Sequence, residues 1–309
     1  MKCLVTGGAG FIGSHLVEEL VRQKNKVVVL DNLSTGNLNN LKLVKKKIKF
    51  LKYDISKKKN ILKKLKGIKY VFHLAGLSNT IESTRNPKKY YKTNVDGTIN
   101  ILEICKELKV KKFVYSASAS CYGNSKELPT SENAKIQTLS PYAKTKWFAE
   151  QIIMLLANKK NMPAISLRFF NVYGPRSKAN NAYSAVISIF LKQTQANKPL
   201  TVVGNGQQTR SFVHVYDVVD ALIKASKSKV KNEIFNVGSK RSYKIIEIAK
   251  LFSKKKTYIA KRPGEAKYSS ANIQKIIKKL KWYPKVTLNK GIKMLLKSEK
   301  SSRKYLNKI

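Results

Sequence analysis

Apolar runs and amphipathic segments alternate along the first half of the chain. Short apolar runs predict buried strands, whereas apolar residues that recur every three to four positions predict helices. In chain order the pattern predicts strand 3–5, helix 11–22, strands 26–30, 47–53 and 70–74, helix 87–108, strand 110–116 and helix 140–158. Because such alternation is typical of βαβ units, we predict an α/β fold built on a doubly wound parallel sheet.

A glycine-rich turn follows the first predicted strand. Gly8, Gly10 and Gly13 match G-x-G-x-x-G, in which the glycines permit, in order, a sharp turn, close approach of the backbone to a pyrophosphate, and close helix packing. The helix that begins at Phe11 would direct free N–H groups and a partial positive charge at that phosphate. The strand–turn–helix context favours a dinucleotide-binding Rossmann site over the alternative, a glycine turn in an unrelated α/β protein.

The second predicted strand is followed directly by Asp31. A carboxylate in this position accepts hydrogen bonds from the ribose hydroxyls of a dinucleotide. Asn32 and Leu33, which come next, supply no positive charge for the 2′-phosphate of NADP. The sequence therefore predicts NAD as the cofactor.

Hydroxyl side chains cluster where strand 110–116 ends, a position at which open α/β sheets bind ligands. Ser118 lies in this segment, and Tyr142 and Lys146 follow on the next long helix. Residues four apart share one helix face, and a neighbouring ammonium group lowers the pKa of a phenol by favouring the phenolate. We therefore predict that Tyr142 is a general base. An isolated Y-x-x-x-K is usually an ordinary amphipathic turn, but its place in a dinucleotide-binding chain favours catalysis.

Together these residues resemble the extended short-chain dehydrogenases/reductases, specifically the nucleotide-sugar epimerase/dehydratase group, over essentially the whole chain. The motifs are Thr6-Gly7-x-x-Gly10-x-x-Gly13, Asp31-Asn32, Asp54-Ile55, His73-Leu74-Ala75-Gly76, Asn94, Ser118, Tyr142-x-x-x-Lys146, the segments 168–175 and 210–217, and Arg262-Pro263-Gly264-Glu265. The resemblance implies an NAD-binding Rossmann domain in residues 1–170 with a return segment at about 212–238. It further implies a smaller C-terminal α/β lobe for the nucleotide sugar, in residues 171–211 and 239–309.

The resemblance also assigns residues to the site. The catalytic residues that it implies are Ser118, Tyr142 and Lys146. The residues that it implies for NAD are Gly7, Gly10, Phe11, Ile12, Gly13, Asp31, Asn32, Asp54, Ile55, Leu74, Ala75, Gly76, Asn94, Ser116, Tyr142, Lys146 and Phe169. Those that it implies for the substrate are Ser118, Tyr142, Asn171, Thr201, Val203, Arg210, Arg262 and Ser269.

Arginine is scarce in this lysine-rich chain, yet Arg168, Arg210 and Arg262 all lie in the motifs. Because guanidinium groups fit pyrophosphate oxygens geometrically, arginine at these three positions argues for recognition by geometry over a surface ion pair. The positions that the resemblance assigns to the nucleoside diphosphate are Asn171, Arg210 and Arg262. In the family, the position seven residues after the last of them admits or excludes an N-acetyl group on the sugar. Here that position is Ser269, which is small enough to admit it. A shift of one residue would put Tyr268 there and reverse the expectation.

The reaction that the resemblance implies is NAD-dependent C4 epimerisation of a UDP-sugar through a transient 4-keto intermediate. The expected substrates are UDP-glucose and UDP-galactose, with the N-acetyl forms as further candidates. Family dehydratases carry an acidic pair directly after the catalytic hydroxyl residue, whereas Ala119 and Ser120 stand here. This difference disfavours dehydration, and also the decarboxylases that use a glutamate there. Two alternatives stay open: another oxidoreductase, dehydratase or decarboxylase of the family, and a non-catalytic dinucleotide sensor or polyanion-binding protein.

The resemblance also implies a homodimer, in which two long helices of each subunit form a four-helix interface. The matching helices here are 87–108 and 141–158. Their apolar positions exceed a single core-facing stripe and include Val95, Ile99, Leu102, Ile152, Leu155 and Leu156.

Charge and composition change this picture little. The 309 residues include 63 Lys and Arg against 17 Asp and Glu, a net charge of +46. The lysines are spread along the chain and form no single stripe, so we expect no physiological nucleic-acid partner.

Three distant cysteines predict buried thiols, and three histidines without ligand spacing predict no metal. A strand near the first residue leaves no room for a signal peptide, and no apolar run could span a membrane, so we expect a cytoplasmic protein without a membrane partner.

Overall fold

The computed structural model describes residues 1–57, 61–159, 162–177, 186–260 and 267–306. Its strands are β1 (Lys2–Thr6), β2 (Lys26–Asp31), β3 (Ile48–Lys52), β4 (Tyr70–His73), β5 (Lys112–Ser118), β6 (Ala164–Phe169), β7 (Asn171–Tyr173), β8 (Leu200–Val203), β9 (Thr209–His214), β10 (Glu233–Val237), β11 (Ser242–Lys244) and β12 (Lys256–Ile259). Its α-helices are α1 (Phe11–Arg22), α2 (Leu62–Leu65), α3 (Thr80–Arg85), α4 (Pro87–Tyr91), α5 (Gly97–Glu107), α6 (Pro141–Lys159), α7 (Val186–Gln195), α8 (Val215–Lys227), α9 (Ile245–Lys250), α10 (Gln274–Leu280) and α11 (Leu288–Leu306).

Seven parallel strands form the large sheet in the order β10-β6-β5-β4-β1-β2-β3. The direction of winding reverses between β1 and β4, and open α/β sheets bind ligands at such a switch point. Both faces of the sheet are covered, because Cys3 and Val5 of β1 enter one apolar core and Leu4 enters another. The prediction of a doubly wound parallel sheet is confirmed.

Two smaller sheets are built from later residues. In one, β7 pairs in parallel with β9, and β11 pairs antiparallel to β9; in the other, β8 and β12 are parallel. A third apolar core includes Tyr173, Phe190, Phe212 and Leu288 and joins these strands to α7 and α11. β10 lies in the expected return segment and adds to the large sheet beside β6. The division of the chain into two domains stays a prediction.

The turn between β1 and α1 depends on glycine. Gly7 has a φ of +69°, and a Cβ there would lie 2.7 Å from the backbone nitrogen of Ala75. A Cβ on Gly13 would lie 2.1 Å from the carbonyl oxygen of Gly7, so helix and loop approach this closely only without side chains. Gly8, by contrast, packs against the side chain of Val29. The sharp turn is therefore made by Gly7, one residue before the position that the sequence pattern indicates.

The predicted helix 87–108 is continuous but not uniform. A π-helical turn, Lys92–Asp96, joins α4 to α5, and π turns within α-helices are frequent at functional sites. α4 and α5 both pack beside α6. Val95 and Leu102, which the sequence suggests for a subunit interface, are buried within the protein. They are therefore not available to a second subunit.

Candidate active site

A groove lies at the carboxyl ends of β1, β4 and β5, at the switch point of the large sheet. The predicted NAD-binding residues that line it are Gly7, Gly10, Phe11, Ile12, Gly13, Leu74, Gly76, Ser116, Tyr142, Lys146 and Phe169. A small pocket beside it is lined by a second set of them, Asp31, Asn32, Ile55, Ala75 and Gly76. Thr35, Gly76 and Leu77 line both cavities, so the two form one elongated surface.

The N-terminus of α1 opens onto the groove. Gly10 is the N-cap residue, no side chain of the described residues caps the helix, and its first turn contains no acidic residue. The first N–H groups of α1 and the positive end of its dipole are therefore suited to an anion. The absence of a side chain at Gly10 lets a ligand approach the backbone here. These residues fit the pyrophosphate of a dinucleotide.

Asp31 ends β2 and is buried beside the groove. One of its carboxylate oxygens accepts a hydrogen bond from the backbone N of Ala9 at 2.9 Å, and the other from that of Leu33 at 2.8 Å. Because a carboxylate offers about four acceptor sites, it can still accept from hydroxyl groups. The described residues that line the small pocket include no lysine or arginine. The pocket therefore suits a ribose with free hydroxyls and lacks a cation for a 2′-phosphate.

Two predicted NAD-binding residues do not line either cavity. Asp54 accepts hydrogen bonds from the backbone N and the Oγ of Ser56 at 2.9 and 2.7 Å. Burial raises the pKa of Asp54, but the two bonds from Ser56, together with Asn32 and the charge of Lys57, outweigh burial and lower the pKa overall. Asn94, in the π turn, lies behind the groove, where its Oδ1 accepts from the backbone N of Leu77 at 2.8 Å. Asn94 thus supports a stretch of backbone that does line the groove.

A larger cleft of about 400 Å³ adjoins the groove. The predicted substrate-binding residues that line it are Ser118, Tyr142, Asn171, Thr201, Val203, Arg210 and Ser269. Tyr268 lines it as well, and Arg262 lies outside the described residues. The fold therefore gathers around one cleft residues that come from both halves of the chain.

Ser118, Tyr142 and Lys146 lie where the groove meets the cleft. Ser118 ends β5, and Tyr142 follows Pro141 in the first turn of α6, where proline is favoured because its missing N–H removes no bond. The Ser118 hydroxyl is near enough to that of Tyr142 to lower its pKa. Lys146 lies one turn later, with its Nζ 4.2 Å from the ring centroid of Tyr115. Ser118 and Tyr142 line both cavities, whereas Lys146 lines the groove.

Burial governs the protonation of the Tyr142–Lys146 pair. It raises the pKa of Tyr142, and the hydroxyl of Ser118 lowers that pKa by a smaller amount. It also lowers the pKa of Lys146 to about 7, with the Glu150 carboxylate acting in the opposite sense. The net shift at Tyr142 is therefore opposite to the sequence-based expectation. The reason is that desolvation disfavours the charged form of both groups, including the ammonium that the pattern predicts to favour the phenolate.

Arg168 has a different role from the one that its motif suggests. It is 3% exposed, and its Nε lies 3.1 Å from both carboxylate oxygens of Glu150, which is 1% exposed. Its Nη1 donates to the hydroxyl of Tyr122 at 2.8 Å. It lines neither the groove nor the cleft. The guanidinium of Arg168 therefore balances a buried carboxylate and does not face the cleft that Arg210 lines.

Several residues of the cleft belong to no motif that we identified. Thr80 and Ile81 begin α3, Tyr122 ends the 3-10 turn that follows Ser118, and Gln208 precedes β9. The N-cap of α3 is Asn79, whose Oδ1 accepts from the backbone N of Ile81 at 3.0 Å. That capping preference could predict where the helix begins. Only the tertiary structure brings the helix to the cleft.

Cys3, Cys105 and Cys121 are buried and free, as predicted. Within the ranges that the structure describes, no three histidine, cysteine or acidic side chains are grouped so as to hold a metal ion. No helix in those ranges is both long and apolar enough to cross a membrane. The cytoplasmic location and the lack of a nucleic-acid partner stay predictions.

The sheet order, the glycine turn and the Ser–Tyr–Lys set together define a Rossmann-type nucleotide-binding protein with a second cleft beside its switch point. Residues 3–238 match the sequence model of the NAD dependent epimerase/dehydratase family, and the chain belongs to that family. The predicted family and the prediction of NAD as the cofactor are confirmed.

Relatives extend over nearly the whole chain. It is 36% identical to a putative UDP-glucose 4-epimerase of Methanocaldococcus jannaschii, over 97% of this chain and 99% of that protein. It is 34% identical to a UDP-N-acetyl-alpha-D-glucosaminuronate decarboxylase of Bacillus cytotoxicus, over 80% of this chain and 78% of the relative. A solved structure of UDP-glucose 4-epimerase from Thermotoga maritima with UDP-glucose has a TM-score of 0.93 and 33% identity, covering 98% of this chain and 99% of the other. Relatives of similar identity thus differ in reaction.

Proposed function

We propose that this protein catalyses the NAD-dependent C4 epimerisation of a UDP-sugar through a transient 4-keto intermediate. The junction of the two cavities carries the proposal, because Ser118, Tyr142, Phe169 and Phe170 line both of them. A sugar in the cleft and a cofactor in the groove would meet at these side chains. A protein that only binds and senses dinucleotides would not require a potential base at this junction.

The groove suits NAD along its length. The N–H groups at Phe11 and Ile12 would hold the pyrophosphate, Asp31 would accept from the adenosine ribose, and Lys146 would hold the nicotinamide ribose. When bound, NAD supplies a hydride acceptor at the sugar carbon and returns the hydride later. Residues 1–170 with the return segment 212–238 would form this NAD-binding domain, and 171–211 with 239–309 the lobe for the nucleotide sugar.

Tyr142 would act as the base of the reaction. Its phenolate takes the proton of the sugar C4 hydroxyl and gives it back to the same oxygen after the keto sugar has turned over. Ser118 would donate a hydrogen bond to that oxygen. Since burial raises the pKa of Tyr142, neighbouring groups must favour the phenolate, and Ser118 and Lys146 are in place to do so.

The side chains that follow Ser118 favour epimerisation over other reactions of the family. Ala119 and Ser120 both line the cleft, and neither can serve as an acid or a base at neutral pH. The described residues that line the cleft include no aspartate or glutamate. Elimination of water and glutamate-assisted decarboxylation would both lack a carboxylate among them.

Ser269 supports a sugar pocket wide enough for an N-acetyl group. It is partly buried in the wall of the cleft, and its backbone N donates to the carbonyl oxygen of Thr209 at 3.1 Å. The neighbouring Tyr268 also lines the cleft, but it is 42% exposed. We therefore include the N-acetyl forms of UDP-glucose and UDP-galactose among the proposed substrates.

The outer surface of α4 and α6 supports a homodimer. Tyr91 and Leu155 are 40% and 53% exposed, and the ring of Phe148 lies 5.8 Å from that of Tyr91. Exposed apolar side chains on adjacent helices are typical of a subunit interface. Light scattering at micromolar concentration and physiological salt should give twice the 35.0 kDa of one chain, and a monomer there would contradict the proposal.

Incubation of the purified protein with UDP-glucose, without added NADH, tests the reaction. Epimerisation predicts UDP-galactose as the product and no net change in the cofactor, and the Tyr142→Phe protein is the inactive control. Formation of a 4-keto-6-deoxy sugar would indicate a dehydratase, and release of carbon dioxide from UDP-glucuronic acid would indicate a decarboxylase. Either product, or no reaction with any of the four proposed UDP-sugars, would overturn the assignment.

A further inference from the structure

Strand β8 lies in the wall of the cleft and has an open edge. It pairs with β12 in a two-stranded sheet. The N–H groups of Leu200 and Gly204 donate to backbone carbonyls of the segment 255–259, which contains β12. Because successive residues of a strand direct their backbone groups to alternate edges, those of Thr201 and Val203 point away from β12. Thr201 and Val203 both line the cleft, so this edge adjoins the predicted substrate site.

Two glutamine side chains occupy the outer groups of this edge. The Oε1 of Gln193, on α7, accepts a hydrogen bond from the backbone N of Thr201 at 3.1 Å. The carbonyl oxygen of Val203 accepts from the Nε2 of Gln208 at 3.0 Å and from the backbone N of Gly206 at 3.2 Å. Within the described part of the chain, the groups left between them are the carbonyl of Thr201 and the N–H of Val203, an acceptor followed by a donor.

The side-chain amide of Gln193 also fixes the hydroxyl of Thr201. Since a backbone N–H can only donate, the atom that it meets must be the amide oxygen, and this sets the orientation of the whole amide. The Nε2 of Gln193 then donates to the Oγ1 of Thr201 at 2.9 Å. The hydroxyl is thus an acceptor toward Gln193, and its own hydrogen can be donated to a ligand in the cleft.

An acceptor beside a donor is complementary to one edge of uracil, where the N3–H group adjoins the C4 carbonyl. Cytosine presents the opposite order, an N3 acceptor beside an amino donor, so each of its groups would meet a group of its own kind. The N–H of Thr201 matters for this choice. If it were free, Thr201 alone would offer a donor beside an acceptor, which matches cytosine. Occupying that N–H therefore acts against the wrong base.

We propose that Gln193 is a positioning residue, which withdraws the N–H of Thr201 from the cleft and thereby makes the open edge of β8 selective for uracil over cytosine. The proposal rests on the proposed function, since it deepens the recognition of a UDP-sugar. A UDP-sugar with its C4 hydroxyl at Tyr142 extends its nucleoside away from the junction, and Thr201 and Val203 line the cleft but not the groove. Gln193 lines neither cavity, so it acts through Thr201.

Binding of free UDP and CDP, measured by calorimetry at a saturating NAD concentration, tests this assignment without any turnover. The two ligands carry the same diphosphate, so the ratio of their dissociation constants reports on the base alone. In wild type we expect UDP to bind at least about tenfold more tightly than CDP, whereas Gln193→Met, which lacks both amide groups, should bind the two about equally. Gln193→Glu keeps an acceptor for the N–H of Thr201 and should retain the ratio, even where its negative charge weakens both ligands.

Turnover supplies the second readout. Gln193→Met should raise the KM for UDP-glucose about tenfold and change kcat little, because the reacting carbon is held at Tyr142 and not at β8. Gln207→Met is the matched control, since it makes the same substitution at an exposed side chain that lines neither cavity. Its UDP to CDP ratio and its KM should equal those of wild type.

The outcomes separate the two proposals. A ratio in Gln193→Met equal to that of wild type would overturn the role of Gln193, even if epimerisation is observed, and so would equal binding of UDP and CDP by wild type. A protein that selects UDP through Gln193 but epimerises none of the four UDP-sugars would overturn the proposed function and leave the role of Gln193 established. If methionine disturbs α7, as judged by circular dichroism, Gln193→Leu removes the same two amide groups and is read by the same criteria.

Discussion

Replacing Arg168 with alanine should destabilise the protein strongly and leave substrate affinity unchanged. The Glu150 carboxylate would lose every bond from the guanidinium and, among the described residues, would keep the hydrogen bond that the hydroxyl of Ser166 donates at 2.7 Å. Removing one partner of a buried ion pair costs about 3–5 kcal/mol. Proton uptake limits that cost, because protonating an ordinary glutamate side chain at pH 7 requires about 4 kcal/mol. We therefore expect a loss of about 3–4 kcal/mol in the free energy of unfolding at pH 7.

Urea unfolding followed by tryptophan fluorescence, at one fixed NAD concentration, measures this loss. The variant should bind a proton on folding, so its deficit relative to wild type should shrink as the pH is lowered from 7 to 5. Arg22→Ala is the matched control. Arg22 pairs with Glu19, but its side chain is 74% exposed, so its removal should change the free energy of unfolding little. The double variant Arg168→Met with Glu150→Leu should be more stable than Arg168→Ala, because it buries no unpaired charge.

Two results would refute this reasoning. A loss as small as that of Arg22→Ala would show that Arg168 does not balance a buried charge. A raised KM for the UDP-sugar together with unchanged stability would instead assign Arg168 to the recognition of the substrate.

Three further predictions concern the site itself. Tyr142→Phe should abolish epimerisation with NAD still bound, because only the base is lost. Asp31→Ala should weaken NAD binding about 10- to 100-fold by calorimetry, because a charged acceptor is lost. The reverse pattern would contradict both roles. Ser269→Tyr should remove turnover of the N-acetylated sugars and spare the smaller ones, since overfilling a packed pocket costs about 1–3 kcal/mol. Equal loss of both activities would show that Ser269 does not select the substrate. Lys146→Met should stabilise the NAD-free protein most below pH 7 and progressively less as the pH rises. Burial lowers the pKa of Lys146 to about 7, against about 10.4 in an unfolded chain. The folded state therefore binds fewer protons than the unfolded state, and the buried ammonium opposes folding. Equal urea midpoints for the two proteins at pH 6 would contradict this.

Several properties of this protein are determined by residues that are close in the sequence. The glycine turn, Asp31 at the end of β2, and the Tyr142–Lys146 spacing each lie within one or two consecutive elements. Their geometry follows from local backbone preferences and from the periodicity of strand and helix. The parallel sheet, the nucleotide groove and the NAD prediction could therefore be obtained without a structure.

Other properties depend on which residues face each other after folding. Arg168 lies in a motif, but the motif does not say what its guanidinium contacts. Two features of the fold bring it to Glu150: the side of β6 from which it projects and the packing of α6. The direction of the pKa shift at Tyr142 depends on how completely the surrounding elements exclude water, which no spacing in the chain encodes. The lack of space for a side chain at Gly7 is likewise decided by the backbone of Ala75, which follows a different strand. Burial and long-range contact are properties of the whole fold, and for that reason only the tertiary structure decides them.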